Sequence, residues 1–327
     1  MLTVKENLKE VMTGGNPDRF VKQYEFLQMI MSVPSGRVKP QIGEEVINEW
    51  GITIRWPEGQ LASFPVHDAQ HVVLEDVTEW KKYVKAPSME RPAGAWDQAI
   101  ADANAVDRDN KYVAAFIAPG LFEMTHYLMG MENALMSFYE EPEAMHELID
   151  YLTEYELDYA KALVENLHPD AILHHDDWGS QISTFLSPAM FEEFFLDSYK
   201  KIYGFYKANG VELIVHHSDS YAATLVPYMI EMGIDIWQGV MTTNDIPKMI
   251  KEYGGKITFM GGVHSGVIDH PEWTKEQIDA EFARACRESG KLYFIPGACQ
   301  GLPVSSFPGV YEACDEAIEK MNKEMFQ

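Results

Sequence analysis

Two stretches of this 327-residue chain end an apolar run in side chains that can bind a metal ion. Residues 211–215 lead into His217 and Asp219, and residues 291–296 lead into Cys299. If both runs are strands of a parallel barrel, the residues just past their ends meet at one mouth. An imidazole, a carboxylate and a thiolate suit Zn²⁺, and three protein ligands leave the open position that a catalytic metal needs. We therefore expect His217, Asp219 and Cys299 to hold zinc.

Each of these three residues also has a simpler interpretation. His217 and Asp219 are two apart, so their side chains leave the same face of a strand. His216 should point the opposite way, into the helix layer or along the rim. Asp219 could instead cap the next helix, with His217 as a hydrogen-bonded core histidine. Cys299 could be a small buried apolar residue, as Cys286 is expected to be.

Asp176 and Asp177 form a second candidate site, because they follow another predicted strand. Two adjacent carboxylates at a barrel mouth can raise the pKa of one of them and so create a general acid. The alternative is that one aspartate caps a neighbouring loop while the other is solvated. The pattern predicts one catalytic member.

Other polar residues near predicted strand ends complete the candidate site. His264 is a candidate base or fourth ligand. Glu123 and His126 lie three apart on one helix face, where they could reach the mouth or only pair with each other. Trp178 and Gln181 are candidate substrate contacts.

Composition narrows the class of protein. A net charge of −25 disfavours nucleic acid and anionic membranes as partners. No apolar run reaches 18 residues and the first residues lack the apolar core of a signal peptide, so we expect a cytoplasmic protein without a membrane segment. Three scattered cysteines predict no disulfide framework.

Alternating strands and helices predict a parallel α/β fold. Residues 2–32 have a helical pattern interrupted at 13–18, and residues 52–56 alternate like a strand. Six further predicted strands are residues 112–118, 170–174, 211–215, 234–237, 257–260 and 292–295. The main predicted helices are residues 121–139, 142–166, 188–209 and 221–232.

These segments favour a (β/α)8 TIM barrel with an N-terminal helical extension, formed by residues 1–327 as a single domain. The seven predicted strands are one short of eight. A doubly wound open sheet is the rival architecture, but no glycine-rich phosphate fingerprint follows any predicted strand.

Several short sequence motifs of the chain resemble those of the uroporphyrinogen decarboxylase superfamily, and within it those of the corrinoid-dependent methyltransferases. The most specific are Asp176-Asp177-Trp178-Gly179-Ser180-Gln181 and Ser187-Pro188-Ala189-Met190-Phe191, joined by residues 79–83 and 259–263. The resemblance implies a TIM barrel with its site at the strand carboxyl ends. It also implies zinc held by His217, by Asp219 in place of a family cysteine, and by Cys299.

What the resemblance implies for function is transfer of a methyl group from a methyl ether, preferably aromatic, to the Co(I) of a separate corrinoid protein. The chain has no cobalamin-binding Asp-x-His-x-x-Gly motif, so the corrinoid is expected on a separate protein. The arginine-rich motif with which true decarboxylases bind the carboxylates of their substrate is also missing, which disfavours decarboxylation of a tetrapyrrole. The alternatives are methyl transfer from a methyl-corrinoid to a thiol, another decarboxylation, or a barrel that only binds a small aromatic ligand.

Overall fold

The computed structural model describes residues 1–35, 37–301 and 303–326. In these ranges the strands are β1 (Leu27–Ile30), β2 (Glu45–Ile47), β3 (Thr53–Arg55), β4 (Phe64–Pro65), β5 (Tyr112–Ile117), β6 (Ala171–His175), β7 (Leu213–His217), β8 (Ile236–Val240), β9 (Thr258–Val263) and β10 (Phe294–Ala298). The α-helices are α1 (Val4–Thr13), α2 (Trp80–Tyr83), α3 (Asp97–Asn104), α4 (Leu121–Met129), α5 (Met131–Glu140), α6 (Pro142–Leu167), α7 (Pro188–Phe191), α8 (Asp197–Ala208), α9 (Val226–Met232), α10 (Ile246–Tyr253), α11 (Ser265–Ile268), α12 (Lys275–Ser289) and α13 (Val310–Met325).

A curled parallel sheet forms the centre of the protein. Seven strands of the described residues pair in the order β1-β5-β6-β7-β8-β9-β10, and every pair is parallel. The predicted parallel α/β fold is therefore confirmed, whereas the predicted eightfold repeat is seen only as seven strands over the described ranges. Helices between successive strands cover the outer face of the sheet.

The N-terminal prediction is partly wrong. Helix α1 is present, and Thr3 and Glu6 form a reciprocal capping box at its start. The second helix expected before residue 32 is absent, because Leu27–Ile30 pairs with β5 as the first strand of the sheet. Residues 52–56 do contain a strand, but it pairs with β2 and β4 in a separate antiparallel sheet.

The side chain of Gln23 connects the two ends of the curled sheet. Its amide oxygen accepts from Ala298 N at 3.0 Å, and its amide nitrogen donates to Ala298 O at 2.9 Å. Ala298 is the last residue of β10, and Gln23 lies four residues before β1. One side chain thus supplies β10 with the reciprocal hydrogen bonds that a neighbouring strand would make.

The two faces of the sheet have different partners. Inner-face residues such as Leu173, Val215 and Ile236 pack together with Leu8 and Val11 of α1. Outer-face residues pack against the surrounding helices in a larger apolar cluster. No helix in the described part of the chain is long and apolar enough to cross a membrane.

Candidate metal and active site

Three neighbouring strands place polar side chains in one row near the carboxyl end of the sheet. His175 of β6 pairs in register with His217 of β7, and His217 pairs with Gln238 of β8. Leu173, Val215 and Ile236, two positions earlier on each strand, belong to the inner apolar cluster. Because side chains alternate along a strand, all three polar residues extend from that same inner face.

His175, Asp177 and His217 form a group that could hold a metal ion and is compatible with zinc. One ligand atom of each lies within 4.8 Å of the others. The two imidazoles stack with centroids 4.4 Å apart, and His217 Nε2 lies 3.9 Å from Asp177 Oδ1. Nitrogen and carboxylate ligands are within the usual set for zinc.

Outer hydrogen bonds fix the orientation of both imidazoles. His175 Nδ1 lies 2.8 Å from Glu123 Oε2, and His217 Nδ1 is hydrogen-bonded to Gln238 Oε1. An oxygen acceptor at Nδ1 keeps the proton there, so the lone pair of a neutral ring is on Nε2. Metal-binding histidines almost always have such partners. The arrangement therefore fits a metal site better than it fits two core histidines.

The electrostatics of the site also favour a cation. Burial alone would lower the pKa of His175, but the Glu123 and Asp177 carboxylates raise it to about 10. Burial and the neighbouring His175 lower the pKa of His217 to about 4. Burial, and then the Asp177 charge, raise the pKa of Asp219 to about 8. Without a metal, the protonated His175 ring is thus the positive charge among these acidic groups, and a divalent ion bound at its Nε2 would take the place of that proton.

Asp219 and Cys299 lie beside this group rather than in it. Asp219 N donates to Asp177 Oδ1 at 2.9 Å, which links the two strand ends. The Cys299 thiol faces the carbonyl oxygens of Val240 and Val263 at 3.2 and 3.3 Å. Burial and the Asp219 charge raise the pKa of Cys299 to about 12. Of the three expected zinc ligands, only His217 lies in the three-residue group.

Asp176 is completely buried and has a different environment from Asp177. Its carboxylate accepts from Phe122 N at 3.0 Å, Glu123 N at 2.7 Å, Trp178 Nε1 at 2.8 Å and the Tyr199 hydroxyl. The first two donors are main-chain N–H groups in the first turn of α4, which have no hydrogen-bond partner within the helix. Burial and the Glu123 charge raise the pKa of Asp176 to about 7, while these four donors stabilise its ionised form. Asp176 therefore anchors α4 to the strand end.

The remaining predicted residues lie outside the three-residue group. Trp178 is buried, and its ring stacks on that of His216 with the ring centroids 3.9 Å apart. Gln181 is exposed and its carbonyl accepts from Thr243. His126 is buried, with its ring centroid 5.5 Å from that of His67. His264 is exposed as the N-cap residue of α11 and is not in the three-residue group.

Sequence reasoning missed His175 and Gln238. The predicted strand stopped at residue 174, although β6 continues to His175. The available signal was the alternation itself, because His175 is two residues beyond apolar Leu173, as His217 is beyond Val215. The opposite orientation of His216 was predicted correctly, since its Nδ1 is hydrogen-bonded to Tyr203 in the helix layer.

The fold and the site together define a parallel α/β protein with a metal-compatible group at the carboxyl ends of its strands. The uroporphyrinogen decarboxylase (URO-D) family pattern matches residues 46–320. This match spans most of the chain, which therefore belongs to the uroporphyrinogen decarboxylase family.

A solved structure provides the second comparison. A methyltransferase from Methanosarcina mazei superposes with a TM-score of 0.66 at 15% sequence identity, covering 98% of this chain and 99% of that chain. At this identity the likeness concerns the fold. No curated protein matches the chain.

Proposed function

We propose that this protein is a corrinoid-dependent methyltransferase that takes a methyl group from an ether, preferably an aromatic one. The observation that carries the proposal is the group of His175, Asp177 and His217, with each imidazole held through Nδ1. Family membership and the fold of the Methanosarcina mazei methyltransferase support it. The methyl acceptor is the Co(I) of a separate corrinoid protein, and residues 1–327 act as one domain.

Transfer requires activation of a poor leaving group. In the proposed reaction the methyl carbon passes to Co(I), which supplies the electron pair of the new bond. The pair of the broken carbon–oxygen bond stays on the oxygen. Zinc held by His175, Asp177 and His217 would supply a Lewis acid for that oxygen. Glu123 and Gln238 keep the two imidazoles oriented with Nε2 available.

Aromatic side chains near the row suit an aromatic donor. Phe116 lies edge-on to His175, with ring centroids 6.4 Å apart. The His126 ring, which is buried and kept neutral because burial lowers its pKa to about 3, packs against Phe122 and Tyr127. Offset and edge-on contacts of this kind are favourable between aromatic rings.

The local charge argues against decarboxylation of a polycarboxylate. Glu123, Asp177 and Asp219 all face the site, and the pKa of Asp219 is raised by burial and then by the Asp177 charge, so a further negative charge is unfavourable there. Additional substrate carboxylates would be repelled. A neutral ether would not.

The transfer is tested with purified protein, a reduced corrinoid protein and a methoxyarene. We expect the Co(I) absorption to be replaced by that of methyl-cobalt, with release of the phenol. The protein purified alone should bind no cobalamin tightly. Demethylation without any corrinoid would contradict the mechanism, and a metal-free protein insensitive to chelators would favour the ligand-binding alternative.

Metal analysis tests the site itself. We expect about one equivalent of zinc, lost in His175→Ala and in His217→Ala with the fold intact, because catalytic zinc seldom supplies the folding energy that structural zinc does. His146→Ala is the matched control, since His146 is a partly exposed histidine of α6 that contacts Glu193 and is not in the three-residue group. Full retention of metal in His217→Ala would refute the assignment.

A further inference from the structure

Tyr24 adopts a backbone conformation that bulky residues rarely adopt. Its φ is 59°, in the left-handed region, and its side chain is buried with 7% exposure. Its carbonyl accepts from Leu27 N at 3.0 Å, in the turn that leads into β1. Such strain persists only where the surrounding structure imposes it, and it is concentrated at functional sites.

The strained turn brings the Tyr24 hydroxyl close to His217. A Cβ placed on Gly301 would lie 3.9 Å from the Tyr24 hydroxyl and 3.7 Å from His217 Cε1. Gly301 therefore lies next to both the Tyr24 phenol and the His217 imidazole, and because it has no side chain it does not obstruct the region that both of them border. Gly301 has φ +99°, a conformation that L side chains rarely adopt.

We propose, resting on the function proposed above, that the ether oxygen of the methyl donor binds beside Gly301, where it accepts a hydrogen bond from the Tyr24 hydroxyl. As the carbon–oxygen bond breaks, its electron pair remains on this oxygen and the hydrogen bond becomes charge-assisted. The phenol keeps its proton throughout, so no additional acid is needed at this step. A preformed donor at a developing oxyanion stabilises the transition state more than the ground state.

Tyr24 suits this role better than the aspartate expected from the sequence. The Asp176 carboxylate already accepts four hydrogen bonds, two of them from the start of α4. Asp177 lies beside the stacked imidazoles as a member of the metal-compatible group. Burial raises the pKa of Tyr24 well above 10.0, so its hydroxyl remains a donor throughout the neutral range.

Tyr24→Phe removes only the hydroxyl and tests the proposal kinetically. We expect its rate with a methoxyarene to fall by about 10²–10³, as when one oxyanion donor is lost. The rate with a methyl sulfonium donor should fall less than threefold, because its leaving group develops no negative charge. Zinc content should stay at the wild-type value. Equal losses with the two donors, or no loss with the ether, would overturn the proposal.

Tyr311→Phe is the matched control. The hydroxyl of Tyr311, a residue of α13, donates to the main-chain carbonyl of Gln23 at 3.1 Å, so this variant removes a phenol that is hydrogen-bonded to the segment before β1. We expect its two rates to fall by the same factor, if at all. A selective loss with the ether in Tyr311→Phe would show that the segment's position, rather than the Tyr24 hydroxyl, is responsible, and would overturn the proposal.

Binding measurements separate this inference from the proposed function. By calorimetry, the zinc-loaded Tyr24→Phe protein should bind methoxybenzene about fivefold more weakly than wild type does, the usual value of one net hydrogen bond. Ethylbenzene, of similar shape but without the oxygen, should bind both proteins equally. This pattern supports the Tyr24 contact even if wild type transfers no methyl group. Equal weakening of both ligands would count against it.

Discussion

Replacing Asp176 or Asp177 by Asn makes the same chemical change at adjacent residues, yet we expect opposite consequences. The Asp176 carboxylate is buried and accepts four hydrogen bonds, whereas the Asp177 side chain is 29% exposed and lies beside His217. Asp176→Asn should therefore affect stability. Asp177→Asn should affect metal binding.

The magnitude for Asp176 follows from its hydrogen bonds. Whichever way the new amide is turned, its NH2 group faces at least one buried donor, either Glu123 N or the three donors on the other oxygen. Losing one charge-assisted hydrogen bond and leaving a buried donor unpaired costs about 3 kcal/mol. With an unfolding entropy of about 2.1 cal/mol/K per residue, that corresponds to a fall in Tm of about 4 °C for a chain of this length.

Calorimetric melting, zinc analysis and rates with two donors together provide the test. Asp176→Asn should melt earlier, retain its zinc, and slow the ether and sulfonium reactions by the same factor. Asp177→Asn should keep its Tm within about 1 °C of wild-type apoprotein, since the side chain is partly exposed and an amide oxygen can still accept the hydrogen bond from Asp219 N. Its zinc affinity should fall at least 10–100-fold, which is the loss typical when a hydrogen-bond partner of a metal ligand is removed.

One result would refute this reasoning. If Asp176→Asn kept the wild-type Tm and lost on the order of 10²–10⁴ in rate with the ether alone, Asp176 would be the general acid rather than an anchor for α4.

Three further results are expected from single substitutions. Gln238→Leu should weaken zinc binding about 10–100-fold in a chelator competition, because His217 loses the acceptor at Nδ1; unchanged affinity would contradict the orienting role. Gln23→Leu should destabilise the protein by about 2–3 kcal/mol in urea unfolding and speed exchange of the Ala298 amide, since both main-chain groups of that residue lose their partner. Tyr203→Phe should cost about 1–3 kcal/mol without changing zinc content, because its hydroxyl bridges two buried imidazoles of the outer layer; loss of zinc would show that the two layers are coupled.

The order of strands and helices after residue 112 could be predicted from the sequence. All six predicted strands in that region are present, and the helix predicted at 142–166 is found as Pro142–Leu167. Apolar runs and helical periodicity are local properties that tertiary contacts here reinforce. Five of the six predicted strands nevertheless ended too early, because polar residues and glycine after an apolar run resemble strand terminators in the sequence. In the sheet such residues continue the strands, and His217 and Gln238 belong to the site.

The first strand could not be predicted from local sequence. Leu27–Ile30 is only four residues long, and its burial does not follow a simple alternation. It is a strand because β5 supplies its partner, which lies 85 residues further along the chain. The hydrogen bonds of Gln23 to Ala298 depend likewise on residues that are 275 positions apart.

The sequence by itself determined the type of chemistry at the site, through imidazoles and carboxylates that follow buried strands, and the inward direction of His217, through the alternation of side chains. Only the tertiary structure decided which of these groups meet. Asp176 and Asp177 are identical residues in adjacent positions, and they differ because the start of α4, Trp178 and Tyr199 surround only the first. His175 joins His217 because β6 and β7 pair in that register, and the Cys299 thiol turns to two carbonyl oxygens instead. Register and the packing of distant segments are long-range properties, so a linear pattern of residues cannot specify them alone.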